Sequence, residues 1–138
     1  MGDMVRKVDY FTMQVSDKPG EGARALDALR DAGVNLLAFT GFPEGRRRAQ
    51  LDFVAEDNSA LKAVAKKAKM KLGPKKTAFL VQGEDRPGAI AEIMGKLAAA
   101  KINVTAIDAL CASGGRFGAI FWVKGPDVRK TAKVLGAA

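Results

Sequence analysis

Apolar and polar positions along this chain alternate in two rhythms, and the same succession of rhythms is met twice. "DYFTMQVS" (9–16) and "TAFLVQGE" (77–84) carry aromatic and β-branched residues and end in polar turns, which predicts strands. After each, apolar residues return at helical spacing: Leu26 and Leu29, then Ile90, Ile93, Met94 and Leu97. "VNLLAFTGF" and "INVTAIDAL" read as second strands. "RRAQLDFVAE" and "RFGAIFWVK" read as third strands, entered through turns at Pro43-Glu44-Gly45 and Ser113-Gly114-Gly115. Residues 58–70 and 126–135 read as second helices. Pro19 and Pro87 are placed at the first helical position, where a missing N–H costs nothing.

Sliding the chain against itself by 68 residues turns this likeness into identities. Asp17, Pro19 and Gly20 fall on Asp85, Pro87 and Gly88; Phe11 and Gln14 fall on Phe79 and Gln82. Ala23, Leu29, Ala32, Asn35, Ala38, Arg48 and Phe53 also repeat, which makes twelve identities without a gap. The expectation is a tandem duplication, with units at 1–74 and 75–138.

Each unit reads as βαββα, and a fourth strand completes the α+β class, a ferredoxin-like βαββαβ sandwich. Its sheet is antiparallel and both helices lie on one face. In the first unit "KMKLGPKK" (69–76) has to supply the fourth strand. In the second the chain ends at Ala138, just past the helix, so the last fourth strand is expected to be short or absent. A unit of this size buries little surface, and a missing strand leaves an open edge. The units are therefore expected to pack together and to form a homodimer.

Charge changes the picture only in part. The net charge is +8, and residues 58–83 hold seven lysines and no acid. Such a stretch suits an anionic partner or, more plainly, the solvated face of a helix. There is no histidine and one cysteine, Cys111, so triads, zinc sites and disulfides are not expected, and the chain suits a reducing cytoplasm. No apolar run is long enough to cross a membrane, and the first residues lack the apolar core of a signal peptide. No cofactor is implied.

Candidate chemistry gathers where the first strand of each unit turns into its helix. Amides at a helix N-terminus attract a carboxylate or phosphate. Gly20 and Gly88 allow close approach. Asp17 and Asp85 suit an ammonium group, and Asn35 and Asn103 offer a donor and an acceptor together. A free amino acid needs that set. The same residues also serve structure: Asp before Pro-Gly organises a turn and caps a helix, and Asn after a helix is a common left-handed cap.

"DRPGAIAEIMGKLAAAKINV" (85–104) resembles the opening of an ACT domain, the small-molecule-binding regulatory module of amino-acid metabolism. "DKPGEGARALDALRDAGVNL" (17–36) resembles it too, with Glu21-Gly22 in place of the usual apolar pair. The resemblance implies amino-acid binding between the first turn of one module and the second strand of a neighbour. On matching positions it assigns that role to Asp17, Pro19, Gly20 and Asn35, and to Asp85, Pro87, Gly88 and Asn103. It further implies allosteric regulation, without catalysis, of a metabolic enzyme or regulator, although no catalytic domain is seen in this chain. Gly22 weakens the first helix by roughly 1 kcal/mol relative to Ala, so the two sites are not expected to be equivalent.

Two alternatives share the architecture. One is a basic RNA-binding module, with Phe79, Phe117, Phe121 and Trp122 as stacking aromatics. Period-2 alternation splits that set and makes Phe79 and Phe121 packing residues. The other is an ACT-like dimerisation module that has lost its ligand. Enzyme chemistry is not expected: Glu84 and Asp85 point apart, and Cys111 has no histidine to activate it.

Overall fold

The computed structural model describes residues 2–137. In chain order its elements are β1 (Met4–Ser16), α1 (Glu21–Asp31), β2 (Leu36–Pro43), β3 (Arg48–Ala55), α2 (Asn58–Lys67) and β4 (Lys76–Glu84), followed by α3 (Ala89–Ala99), β5 (Val104–Ala112), β6 (Arg116–Val123) and α4 (Val128–Leu135). A 3-10 turn over Gly125–Asp127 leads into α4. The fold is α+β and ferredoxin-like, as the periodicities predict. The chain divides into two compact units, Asp9–Lys76 and Met1–Val8 with Thr77–Ala138.

In the unit Asp9–Lys76 the strand order is β2-β3-β1, and β3 runs antiparallel to both neighbours. Alternation turns Phe11 and Met13 of β1, and Leu51, Phe53 and Ala55 of β3, towards one face. There they meet Ala25 and Leu29 of α1 and Leu61 of α2. Phe53, Leu29 and Leu61 are wholly buried. Each such side chain contributes roughly 1.5–3 kcal/mol of transfer free energy. From α2, Lys62 holds its ammonium 5.2 Å from the centre of the Phe11 ring. Lys66 and Lys67 are solvent-exposed.

The other unit repeats the plan with β4-β6-β5. Phe79 faces Phe121 across the ladder, their rings stacked with centroids 5.2 Å apart. Val81, Ile93, Leu97 and Phe117 complete the core. Because Phe79, Phe117 and Phe121 are all buried, they offer no stacking surface for bases. The outer side of β4 is taken by the first half of β1, whose Val5 packs on this core. Met4–Val8 thereby supplies the strand beside β4, and the described residues after α4, Gly136 and Ala137, lie outside any strand.

Three local expectations are corrected. "KMKLGPKK" forms no fourth strand before Lys76. Lys69 takes a left-handed conformation (φ 58°) and the Met70 amide donates to the Ala65 carbonyl at 2.8 Å, which closes α2 at Lys67. Pro74 then has no N–H to pair. Gly73 makes one bond, donating to the Thr12 carbonyl of β1 at 2.8 Å, while Met70 and Leu72 lie against the core. The segment buries apolar surface as a strand would, without a strand's ladder.

The first strand also begins earlier than Asp9, at Met4, where Arg6-Lys7 interrupts the apolar signal. The prolines, finally, are not at the first helical position. Gly20 and Gly88 are the helix N-caps, in left-handed conformations (φ 93° and 82°), so helix begins at Glu21 and Ala89, two residues past each proline.

Candidate functional site

The turn after β4 is tied to the far hairpin of its own unit. The Asp85 amide donates to the Gly115 carbonyl at 2.8 Å, and Gly114 and Gly115 both adopt positive φ to present it. Beyond Asp85 the chain reverses through Gly88, whose φ of 82° excludes most side chains although an added Cβ would meet nothing within 4 Å. The glycine is therefore required by backbone conformation, and the space beside it is open. A cleft of about 390 Å³ lies there, lined by Asp85, Arg86 and Gly88 of the turn, Ile90 of α3, Leu110 of β5 and Phe117 of β6.

Three side chains in this cleft are engaged. The Cys111 thiol donates to Asp85 Oδ2 at 3.2 Å. That bond, with the carboxylate's charge, pushes the thiol's pKa up. Arg86 donates from Nη1 to Asp3 Oδ1 and from Nη2 to Asp3 Oδ2, each at 3.1 Å, and from Nη1 to the Glu84 carbonyl at 3.0 Å. Nη2 also donates to Glu92 of α3. The Asp3 and then the Glu92 bonds hold the guanidinium pKa further up.

The unit Asp9–Lys76 has the matching cleft, about 250 Å³, between Asp17, Lys18 and Gly22 on one side and Gly41, Phe42 and Ala49 on the other. The Asp17 amide donates to the Arg47 carbonyl at 3.0 Å, the counterpart of the Asp85–Gly115 bond. Arg46 and Arg47 are thus part of the β2–β3 connection that holds the turn, and Arg48 opens β3. Its interior differs in charge. Where the larger cleft has Ala89, this one has Glu21, paired with Arg24 Nη1 at 3.0 Å. Neither aspartate caps its helix through the side chain, although a cap is one structural role open to such a residue.

Within each unit the structure brings Asp, Pro and Gly of the turn together and keeps the asparagine away from them. Glu84 pairs with Arg116 and Arg116 with Ala112, whereas Val104, next to Asn103, pairs with Val123 at the opposite end of β6. Eight residue steps along β5 separate the two ends, roughly 26 Å of strand. Asn35 stands likewise beside Leu36 and Ala55, at the end of β3 far from Ser16 and Arg48; its Nδ2 donates to Glu56 Oε2 at 3.4 Å. Asn103 and Asn35 are both exposed.

Sequence reasoning missed Asp3 and Arg86, and treated Cys111 as incidental. Asp3 lies 83 residues from its partner, beyond the reach of any local pattern. Arg86 stands at the variable position between Asp and Pro, where the first copy has Lys18, so a basic residue at both was the available signal.

Residues 77–138 match the ACT domain family. Among curated proteins none matches the chain. Solved structures share the fold. Protein BT0572 from Bacteroides thetaiotaomicron is 18% identical with a TM-score of 0.79, over 97% of this chain and 88% of its own. The ligand-free regulatory subunit of aspartate kinase from Thermus thermophilus is 17% identical with a TM-score of 0.63, over 99% and 95%. The corresponding subunit from Thermus flavus is 17% identical with a TM-score of 0.60, again over 99% and 95%.

Proposed function

We propose that this protein is a non-catalytic, cytoplasmic regulatory module that senses a free amino acid, built from two ACT-like units in tandem, bounded in sequence at 1–74 and 75–138, with Met4–Val8 of the first stretch packed in the sheet of the second. The observation that carries the proposal is the cleft at Asp85, Arg86 and Gly88. Asp85 answers an ammonium group, and the first amides of α3 together with Arg86 answer a carboxylate. Ile90, Leu110 and Phe117 receive an apolar side chain. The tandem arrangement is supported by backbone bonds that recur 68 residues apart, Asp17 to Arg47 and Asp85 to Gly115, Val34 to Leu29 and Ile102 to Leu97.

The larger cleft is the stronger binder in this scheme, since Glu21 places an anion where a ligand carboxylate would sit in the other. Pro19, Gly20, Pro87 and Gly88 shape the turns. If Asn35 or Asn103 contacts the ligand that an aspartate holds, it does so from a neighbouring copy, because each stands at the far end of its own sheet. A homodimer is the arrangement we infer. The named relatives include regulatory subunits of aspartate kinase, so the partner we infer is an enzyme of amino-acid metabolism. Binding would order the interface and shift an equilibrium already present in that partner.

Thermal unfolding against each proteinogenic amino acid, at fixed salt and protein concentration, tests this. A ligand at ~100 times its dissociation constant stabilises the fold by about 2.7 kcal/mol, a shift of several degrees. One or two amino acids should give it, and Asp85→Ala should abolish it. Flat curves throughout, or an Asp85→Ala variant that responds unchanged, would sink the assignment.

A further inference from the structure

Asp3 sits in the turn of the unit it belongs to as a bound carboxylate would. Both of its oxygens are gripped by the two terminal nitrogens of Arg86, the bidentate fork by which arginine recognises free carboxylates. Only 12% of its side chain is exposed. The backbone beneath it leaves room for it: a Cβ on Gly83 would lie 2.1 Å from Asp3 Oδ1 and 2.9 Å from the Phe117 ring, so a side chain at 83 would have to displace the carboxylate and crowd the ring. Glycine stands at 83 without needing a positive φ. In the first copy the equivalent position is Val15, and Lys18 replaces the fork, so this cradle is peculiar to one unit.

The guanidinium does not depend on Asp3 for its position. It also donates to the Glu84 carbonyl at 3.0 Å and to the Glu92 carboxylate. Removal of Asp3 would therefore leave an oriented fork facing an emptied cradle at the rim of the cleft that Arg86 lines. Asp3 stands one residue before Met4–Val8, the half-strand beside β4. Its ion pair with Arg86 ties the start of that strand to the turn.

We propose that Arg86 and Gly83 form a carboxylate-binding site whose resident occupant is Asp3, and that a free carboxylate ligand competes with Asp3 for it, releasing the N-terminal strand from the turn. The N-terminus is then a tethered competitor, and carboxylate occupancy is read out as mobility of residues 4–8. The effector role of such a ligand rests on the amino-acid-sensing reading above; the receptor itself does not.

The test uses the full chain, ¹⁵N-labelled, with sodium acetate as the probe and sodium chloride at equal ionic strength as the control. The Arg86 Nε–Hε resonance, assigned by its loss in Arg86→Gln, is followed by NMR in wild type and in Asp3→Asn. A tether at an effective concentration of order millimolar raises the half-saturating acetate by that concentration divided by the intrinsic dissociation constant. Its removal should therefore lower half-saturation, by about tenfold for an intrinsic constant on the order of 0.1 mM. Acetate should also speed amide exchange of residues 4–8 in wild type, as Asp3→Asn does without it. Equal half-saturation in wild type and Asp3→Asn, or a response no different from chloride, would overturn the proposal. A flat amino-acid panel beside an Asp3-dependent acetate response would instead sink the sensing reading and leave this site standing.

Discussion

The thiol of Cys111, near the end of β5, donates a hydrogen bond to the carboxylate of Asp85, 26 residues earlier in the turn after β4. The two residues close one side of the candidate cleft, and the bond favours the protonated thiol. Thiolate is the reactive form, so this exposed cysteine should be slow towards thiol reagents. Asp85→Asn removes the charge and should increase the rate of reaction with a disulfide reagent near pH 8 severalfold. An unchanged rate would mean that the bond does not govern the thiol.

Gly20 and Gly88 have room for a methyl group but not the backbone angle for one. Alanine at either position should cost about 1–2 kcal/mol in urea unfolding, the penalty of a left-handed L-residue. Asparagine, which tolerates that region, should cost less. Equal losses for both substitutions would point to a packing role in place of a conformational one.

Phe53 and Phe121 are fully buried and stand at equivalent places in the two cores. Phe53→Ala and Phe121→Ala should each destabilise by about 3–5 kcal/mol, the sum of lost transfer energy and an unfilled cavity. Unfolding followed by two probes would show whether each loss stays within its own unit or falls on the whole chain.

Asp52, in the middle of β3, is only 4% exposed. Burial pushes its carboxyl pKa up; the bond from Gln50 Nε2 (2.8 Å) and the charge of Lys76 oppose this, and Glu44 adds to it. A carboxyl raised in the folded state favours folding while protonated. That contribution is complete below the ordinary value of 3.8 and is lost as pH climbs through the folded value. Asp52→Asn should therefore raise the melting temperature near neutral pH by a few degrees, the equivalent of ~1 kcal/mol. At pH values below the ordinary carboxylate range the gain should vanish. A loss at neutral pH would show that the carboxylate's bonds outweigh its desolvation.

The N-cap of α2 titrates in the opposite sense. Asp57 accepts from the Ser59 hydroxyl and from the amides of Ser59 and Ala60, which lowers its pKa. Its stabilisation is present above the ordinary carboxylate pKa and fades as pH falls through the folded value. Asp57→Ala should lower the melting temperature at neutral pH and make little difference in acid; equal losses at both would leave the cap without a charged component.

What the sequence determined by itself was whatever its local periodicity encodes. Alternation placed the strands, helical spacing placed α1 and α3, and the 68-residue recurrence of Asp-x-Pro-Gly placed both turns that line clefts. The conformation of those turns was half legible: glycine announced a special φ, and proline misdirected the helix start by two residues. Tertiary structure decided the rest, because the deciding partners are far apart in the chain. Lys69 to Lys75 lost its strand to a helix cap and a proline, and the edge of β4 was filled by Met4–Val8 from the other end of the sequence. Arg86 acquired Asp3, Cys111 acquired Asp85, and Asn103 was carried about a strand's length away from the aspartate it had been grouped with. Hydrophobic pattern specifies which face a residue turns to, while only the assembled sheet specifies which distant residue it then meets.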